Sequence, residues 1–375
     1  MAVKNPSRDA TKGRGPVSER EAQALLELRT LGPHGELELS SVRILGYSLE
    51  LRDGKGGFVG DSASSAAFRG MLDAWRALFA AMAGRDPLGS RPTDALDKRK
   101  LDALLKEGGP AAQAIAAAQE DYALQLADVV LRFLRHKSWR GVRRVIVGGG
   151  FHQSVVGERA IARAAELVGR KRSTVELRTL HHDADDGGLI GWVHLAPTAL
   201  LQSYDAILAV DLGGTNVRCG VVLTHLHKAP DLSRAEVLLR DKWRHAEHGP
   251  RRDELVDGIA QMLADLAAQA ERKGVRVAPF IGVACPGLVC EDGSLAGGTQ
   301  NLPGNWESAR FHLPQDLCER LPEIGGGRTQ VCLHNDAVVQ GLSELPFTQD
   351  VRRWAVVTVG TGLGNASYAN RVPKV

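Results

Sequence analysis

Two glycine-rich turns and one acidic pair are the residues of this sequence best suited to chemistry. The apolar run 206–210 reads as a buried strand. It leads into Asp211, Leu212, Gly213, Gly214, Thr215 and Asn216, and residues 217–223 resume as a second strand. The unit is therefore strand, tight turn, strand, unlike a P-loop, whose glycines open a helix. Adjacent glycines let backbone N–H groups approach a phosphate with no side chain in the way. Asp211 adds a carboxylate suited to holding a hydrated Mg²⁺. The plainer alternative is a hairpin with no ligand. A second such unit closes the chain: residues 354–359 run into Gly360, Thr361, Gly362, Leu363 and Gly364, with 365–370 as the hairpin partner. Two such loops facing each other across a cleft could clamp one triphosphate, with Thr215 and Thr361 bonding its oxygens. Between them in sequence, the strand 330–334 ends in Asn335 and Asp336. Phosphoryl transfer needs positioning, charge stabilisation and a carboxylate to accept the hydroxyl proton. Asp336 fits that role, and Asn335 can meet a hydroxyl as donor and acceptor. The plainer reading of Asp336 is a helix N-cap.

Residues 144–147 form a short apolar strand followed by Gly148, Gly149, Gly150 and a helix over 156–168. The spacing is not Gly-x-Gly-x-x-Gly, but three glycines permit close approach of a flat ligand such as adenine. His181, His182, Asp183, Asp185 and Asp186 suggest a metal cluster. A polar loop in which Asp185 or Asp186 caps a helix from near Gly188 is the better reading.

These motifs need elements to hold them. Phe68, Met71, Leu72, Trp75, Leu78, Phe79 and Met82 recur at three and four, as do Ile115, Tyr122, Leu126, Val129, Val130 and Phe133, and Leu255, Ile259, Met262, Leu263 and Leu266. Each set predicts an amphipathic helix. A capping box at Ser18 and Glu21 predicts another over 18–29. Residues 36–51 alternate loosely enough for two strands, and 280–284 reads as a buried strand. The polar, basic stretch 1–17 reads as disordered. The 375 residues, 43% hydrophobic and 24% charged, suit one large or two medium domains. A net charge of +3 is too small to argue for nucleic acid as a partner, and no apolar run is long enough to span a membrane. Five cysteines without Cys-x-x-Cys spacing point to reduced thiols in a cytoplasm and away from structural zinc.

The first loop resembles the first phosphate loop of the hexokinase, actin and heat-shock ATPase superfold. With the motifs ACPG, NLPGNW, NDAVVQGLSE and GTGLG, residues 205–370 resemble the ROK family of sugar kinases and repressors. The resemblance implies a two-lobed α/β fold of the actin-like, ribonuclease H-like kind. It implies ATP and Mg²⁺ as cofactors and a small sugar as substrate. It places ATP phosphates on the first loop and the GTG loop, and the sugar on Asn301, Asn335 and Asp336, with Asp336 as base. In the family the Gly-Gly-Gly adenosine motif and the Gly-Leu-Ile-Gly helix follow the GTG loop. Here IVGGG and GLIGW precede the first loop. The chain therefore reads as a circular permutation, with one lobe from 18–203 plus 352–375 and the other from 204–351. Permutation is tolerated where termini lie close together at the surface. The family's Glu-x-Gly-His motif belongs near the permuted join. The counterpart there is Gly35-Glu36-Leu37-Glu38, without the His, and the family's zinc cysteines are absent. Gly57 to Ser65 resembles the segment after that zinc site, without its Glu. A sugar kinase is the leading expectation. A non-catalytic sugar or nucleotide sensor is the alternative, an acyl-phosphate kinase a weaker one, and a homodimer is compatible with each.

Overall fold

A computed structural model describes residues 31–172 and 174–371, together with Gln23. The stretch 1–17 lies outside the described residues, as does the helix expected over 18–29 except for Gln23, which is helical.

Two five-stranded mixed sheets carry the fold. The chain enters through β1 (Val42–Tyr47), then β2 (Arg144–Gly148) and β3 (Glu176–Thr179). It continues through β4 (Ala206–Leu212), β5 (Val217–Leu223), β6 (Glu236–Trp243), β7 (Val277–Cys285) and β8 (Gln330–Asn335). It ends in the hairpin β9 (Arg353–Val359) and β10 (Leu363–Asn370). One sheet runs β6-β5-β4-β7-β8, the other β1-β10-β9-β2-β3. In the first, β5 pairs antiparallel with both β4 and β6, while β7 is parallel to β4 and β8 to β7. The second repeats this pattern: β10 is antiparallel to β9 and β1, while β2 is parallel to β9 and β3 to β2. Each sheet thus has a central strand with a hairpin on one side and a parallel pair on the other. This duplicated order is that of the two-lobed actin-like fold.

The apolar runs of the sequence are buried on both faces, as strands covered by helices must be. Along β4, Ile207 and Ala209 face the layer between the sheets, while Leu208, Val210 and Leu212 face the outer helices α6 (Arg252–Arg272) and α7 (Leu313–Arg320). Along β9, Trp354 and Val356 turn inward, and Ala355, Val357 and Val359 meet the outer helices of the other sheet. Those helices are α1 (Ser65–Ala83), α3 (Gly109–Phe133) and α4 (Val155–Lys171), with α2 (Lys98–Glu107) beside them. Each large apolar side chain buried this way stabilises the fold by about 1.5–3 kcal/mol.

Two short helices fill the central layer. The helix α5 (Ala184–Ile190) follows β3 yet packs on the β4 sheet, and α8 (Asp336–Leu342) follows β8 yet packs on the β9 sheet. They cross where Gly191 leaves no room for a side chain: a Cβ there would lie 1.8 Å from the Val339 carbonyl oxygen. The helix expected from near Gly188 therefore begins earlier, and its cap is Asp183, which accepts from the Asp185 N–H at 2.8 Å. Residues 36–51 yield one strand and not two. Glu38 makes only an isolated bridge to Arg43, and the chain leaves β1 at Ser48, where φ is 49°. Among the described residues no helix is long and apolar enough to cross a membrane, and all five cysteines are unpaired.

Candidate active site

The β4–β5 and β9–β10 turns occupy equivalent positions in the two sheets, so they meet head to head. Thr215 Oγ1 lies 3.2 Å from Thr361 Oγ1. A cleft of about 730 Å³ opens around them. Each turn closes on itself, Gly213 N–H donating to Asn216 O and Gly360 N–H to Gly362 O, both at 2.9 Å. Each is also pinned from outside. Buried His245 bonds the Gly213 carbonyl through Nε2 at 2.8 Å. Ser65, at the start of α1, donates to the Gly360 carbonyl from N–H at 3.0 Å and from Oγ at 2.5 Å. Sequence reasoning named neither pin. Ser65 lies in the stretch already singled out at 57–65, while His245 carries no local signal.

Asp336 is the first residue of α8, and the cap is its neighbour. Asn335 Oδ1 accepts from the N–H groups of Ala337 and Val338 at 3.1 and 3.3 Å. Its Nδ2 donates to Gly287 O at 3.0 Å and to Ser48 Oγ at 3.2 Å. Both ends of the Asn335 amide are therefore engaged by the protein, which frees the Asp336 carboxylate from capping. Asp336 Oδ1 takes only the Ala337 N–H, at 2.8 Å, and Oδ2 has no partner among the described residues. Burial, and then the Asp211 charge, push the Asp336 carboxyl up to about 7. Asn301 borders the same cleft beside the first turn, where a Cβ on Gly214 would lie 2.6 Å from Asn301 Cβ. After β1, Ser48, Leu49 and Glu50 line the cleft. Gly35 instead packs on His334, and Gly35 to Glu38 do not line the cleft, so the counterpart proposed there is displaced. The left-handed φ of Ser48 bends the chain back after β1 and brings its hydroxyl to Asn335.

Asp211 sits in an ion network that the sequence did not disclose. Its Oδ2 pairs with Arg218 Nη1 at 3.0 Å, and Arg218 Nε reaches Asp185 Oδ1 at 2.5 Å. Lys242 Nζ completes the chain on Asp185 Oδ2 at 2.7 Å. Burial pushes the Asp211 carboxyl up, and Arg218 opposes it. This network disperses the imagined metal cluster. Asp185 and Asp186 are taken by cations of β5 and β6, Asp183 caps α5, and His181 stacks on Phe347 at 4.0 Å. Among the described residues no group of three His, Cys, Asp or Glu side chains is arranged to hold a metal. A hydrated Mg²⁺ needs less, since it keeps most of its waters and takes phosphate oxygens. Asp211 Oδ1 lies outside the Arg218 pair and offers a hard oxygen at the cleft. The residues fit such an ion.

The glycine run after β2 reaches the cleft from the other side. Gly149 has φ 82°, and a Cβ there would lie 2.3 Å from the Val359 carbonyl oxygen, so only glycine lets this turn dock against the GTG loop. Gly149 and Gly150 line the cleft, whereas Gly148 lies under the Gln340 side chain and does not. Lys98, at the start of α2, donates to the Gly150 carbonyl and has no ion-pair partner among the described residues.

Residues 207–373 match the ROK family model. That stretch is a ROK family segment. It holds the first turn, Asn301, Asn335, Asp336 and the GTG turn, while Gly149, Gly150, Lys98 and α5 precede it. A candidate N-acetylmannosamine kinase from Listeria monocytogenes is 27% identical over 44% of this chain and 47% of its own, with a TM-score of 0.32. A candidate sugar kinase from Cytophaga hutchinsonii is 20% identical over 43% and 47%, with a TM-score of 0.33. The PPX-GPPA enzyme of Aquifex aeolicus is 12% identical over 60% and 83%, with a TM-score of 0.32. The chain spans about half the length of the first two. No curated protein matches it.

Proposed function

We propose that the protein transfers the terminal phosphoryl group of ATP to a hydroxyl of a small sugar, with Asp336 as general base. The observation that carries this reading is the free Asp336 oxygen, in a cleft where two phosphate-type turns meet within hydrogen-bond distance. The turns and their threonines would hold the phosphates, with Gly149 and Gly150 on the adenosine side. Asn301 would meet the sugar, and Asn335 would hold Asp336 in place. The sugar oxygen attacks the γ-phosphorus as its proton passes to Asp336, and the bond to ADP breaks. A Mg²⁺ bound beside Asp211 would supply charge neutralisation at the phosphates. Arg218 keeps Asp211 oriented and, by holding Asp185, ties α5 to the same wall.

We also infer that the fold is circularly permuted, with lobes from 18–203 plus 352–375 and from 204–351. The support is strand order: β1, met first along the chain, stands in the β9 sheet where β6 stands in the β4 sheet. The unpaired cysteines support a reducing, cytoplasmic setting. The test of function is a panel of hexoses and amino sugars with Mg·ATP, read as ADP release. Tight nucleotide or sugar binding without turnover on any of them would replace the kinase by a sensor.

A further inference from the structure

Arg69, Lys98, Arg218 and Lys242 are the cationic side chains that line the cleft among the described residues. Three of them already have counter-ions. Arg69 pairs with Asp94 at 3.3 Å, Arg218 with Asp211 at 3.0 Å and Lys242 with Asp185 at 2.7 Å. Lys98 has no carboxylate within ion-pair distance among the described residues. Its Nζ donates to the Gly150 carbonyl. An ammonium carries three donors, so two remain, and a carbonyl does not neutralise its charge. The residue is exposed, so a ligand in the cleft can reach it. Partial desolvation of its head holds its pKa below the usual ammonium range, and the Asp185 charge opposes that shift from beyond contact. A partly desolvated ammonium without a counter-ion is stabilised most by an anion.

The position agrees. A Cβ on Gly150 would lie 3.1 Å from Lys98 Nζ. The preceding residue, Gly149, packs on the Val359 carbonyl, and Val359 leads directly into the Gly360 turn. Nζ is therefore tied to the glycine run at the point where that run meets the GTG turn. A polyphosphate running from the threonine pair toward Gly149 and Gly150 comes within its reach. We propose that Lys98 Nζ pairs with the ribose-side phosphate of the nucleotide, the one that stays on ADP after transfer. This rests on the nucleotide-binding reading above and not on the transfer step. A ribose hydroxyl or a base could take the spare donors but would leave the charge uncompensated, whereas a phosphate meets both. The bond to the Gly150 carbonyl holds the ammonium in place before the nucleotide arrives, so less side-chain freedom is lost on binding.

The test compares wild-type protein with Lys98→Met, which keeps the stem and loses the charge, and Lys98→Arg. ADP affinity is measured by calorimetry, adenosine affinity by ligand-observed NMR at millimolar concentration, and melting is followed without ligand. Phosphorus NMR of bound ADP reads its two phosphates separately. Lys98→Met should weaken ADP about tenfold, the scale of one hydrogen bond between charged groups. Adenosine affinity and melting should hold, Lys98→Arg should recover most of the ADP affinity, and Lys98→Met should move the ribose-side phosphorus resonance more than the terminal one. Unchanged ADP affinity in Lys98→Met overturns the proposal. So does an equal loss for adenosine, which would mean that Lys98 serves the ribose or only shapes the glycine run, and so does a shift confined to the terminal phosphorus. Failure of wild-type protein to bind ADP at all would overturn the nucleotide reading together with the proposal.

Discussion

Asp336 owes its character to its neighbour. Because Asn335 caps α8, the Asp336 carboxylate is left with one spare oxygen at the cleft wall, and desolvation, then the Asp211 charge, raises it from 3.8 to about 7. A base poised there is half ionised at neutral pH, near the optimum for general-base work. We expect kcat/KM for the sugar to fall about tenfold per unit below pH 7 and to level off above it. Asp336→Asn should cost at least about a hundredfold in turnover while nucleotide binding persists. Near-normal turnover in that variant would remove Asp336 from the mechanism. The same shift has a consequence for stability. Between 3.8 and about 7 the unfolded chain has released this proton and the folded chain has not. Stability therefore falls as pH rises through that window. Glu344, pushed up to about 7 by burial, acts with the same sign. Relative to wild type, Asp336→Asn should thus gain stability from pH 5 to pH 8, read from urea midpoints at the two values. Asp211, Asn335 and Asp336 were legible in the sequence because strand-end polar residues in an apolar context stand out. Ser48, Ser65 and His245 were not, since each acts through a partner that only the fold supplies; Ser65 and Gly360 are 295 residues apart.

At the scale of elements, close approach does the positioning. A Cβ on Gly213 would meet nothing nearer than the Asn216 carbonyl, at 3.3 Å, so a side chain there is compatible with the turn yet projects where phosphate must sit. Gly213→Val should abolish measurable nucleotide binding with folding intact, and unchanged calorimetric affinity in a folded variant would reduce the turn to a hairpin. Gly191→Ala is the opposite case. Its methyl would collide with backbone at 1.8 Å and force the α5–α8 crossing apart. A loss of about 1–3 kcal/mol or more in denaturant unfolding is expected, as for other overpacked sites. The long helices α3 and α6 announced themselves by periodicity, because each buries a broad apolar stripe; α1 shares the periodicity but buries only Phe68 and Leu72 of its stripe and leaves Leu78 and Met82 exposed. The elements α2 and β6 did not. Only Leu101 of α2 is buried, and β6, at the edge of its sheet, is half polar and buries none of its residues. Without a buried face there is no alternation to read.

For the whole molecule, the question is how one chain builds two like sheets, one of them from segments far apart in sequence. The β4 sheet is assembled from consecutive segments. The β9 sheet takes its last two strands and hairpin neighbour from opposite ends of the described chain, which no local pattern could announce; only the misplaced glycine motifs hinted at it. The contact that matters is between β10 and β1. Val42 pairs with Asn370, and Arg371 N–H donates to the Ser41 carbonyl at 2.8 Å. The two segments are thus already placed as a hairpin lacking its turn, and a two-residue Asn-Gly connection is the natural way to join antiparallel strands. If the permutation reading is right, a rearranged chain should fold. It would run from residue 204 to 371, through Asn-Gly, and on from 41 to 203. It gives up the bridge of His34 to Leu333 beside β8, and so should melt a few degrees lower. It should nonetheless unfold in one cooperative step and bind nucleotide within about threefold of the parent, a margin of well under 1 kcal/mol. An aggregated product, or a folded one that no longer binds nucleotide, would mean that the observed chain order is itself required to bring the two turns together, and the permutation reading would fail.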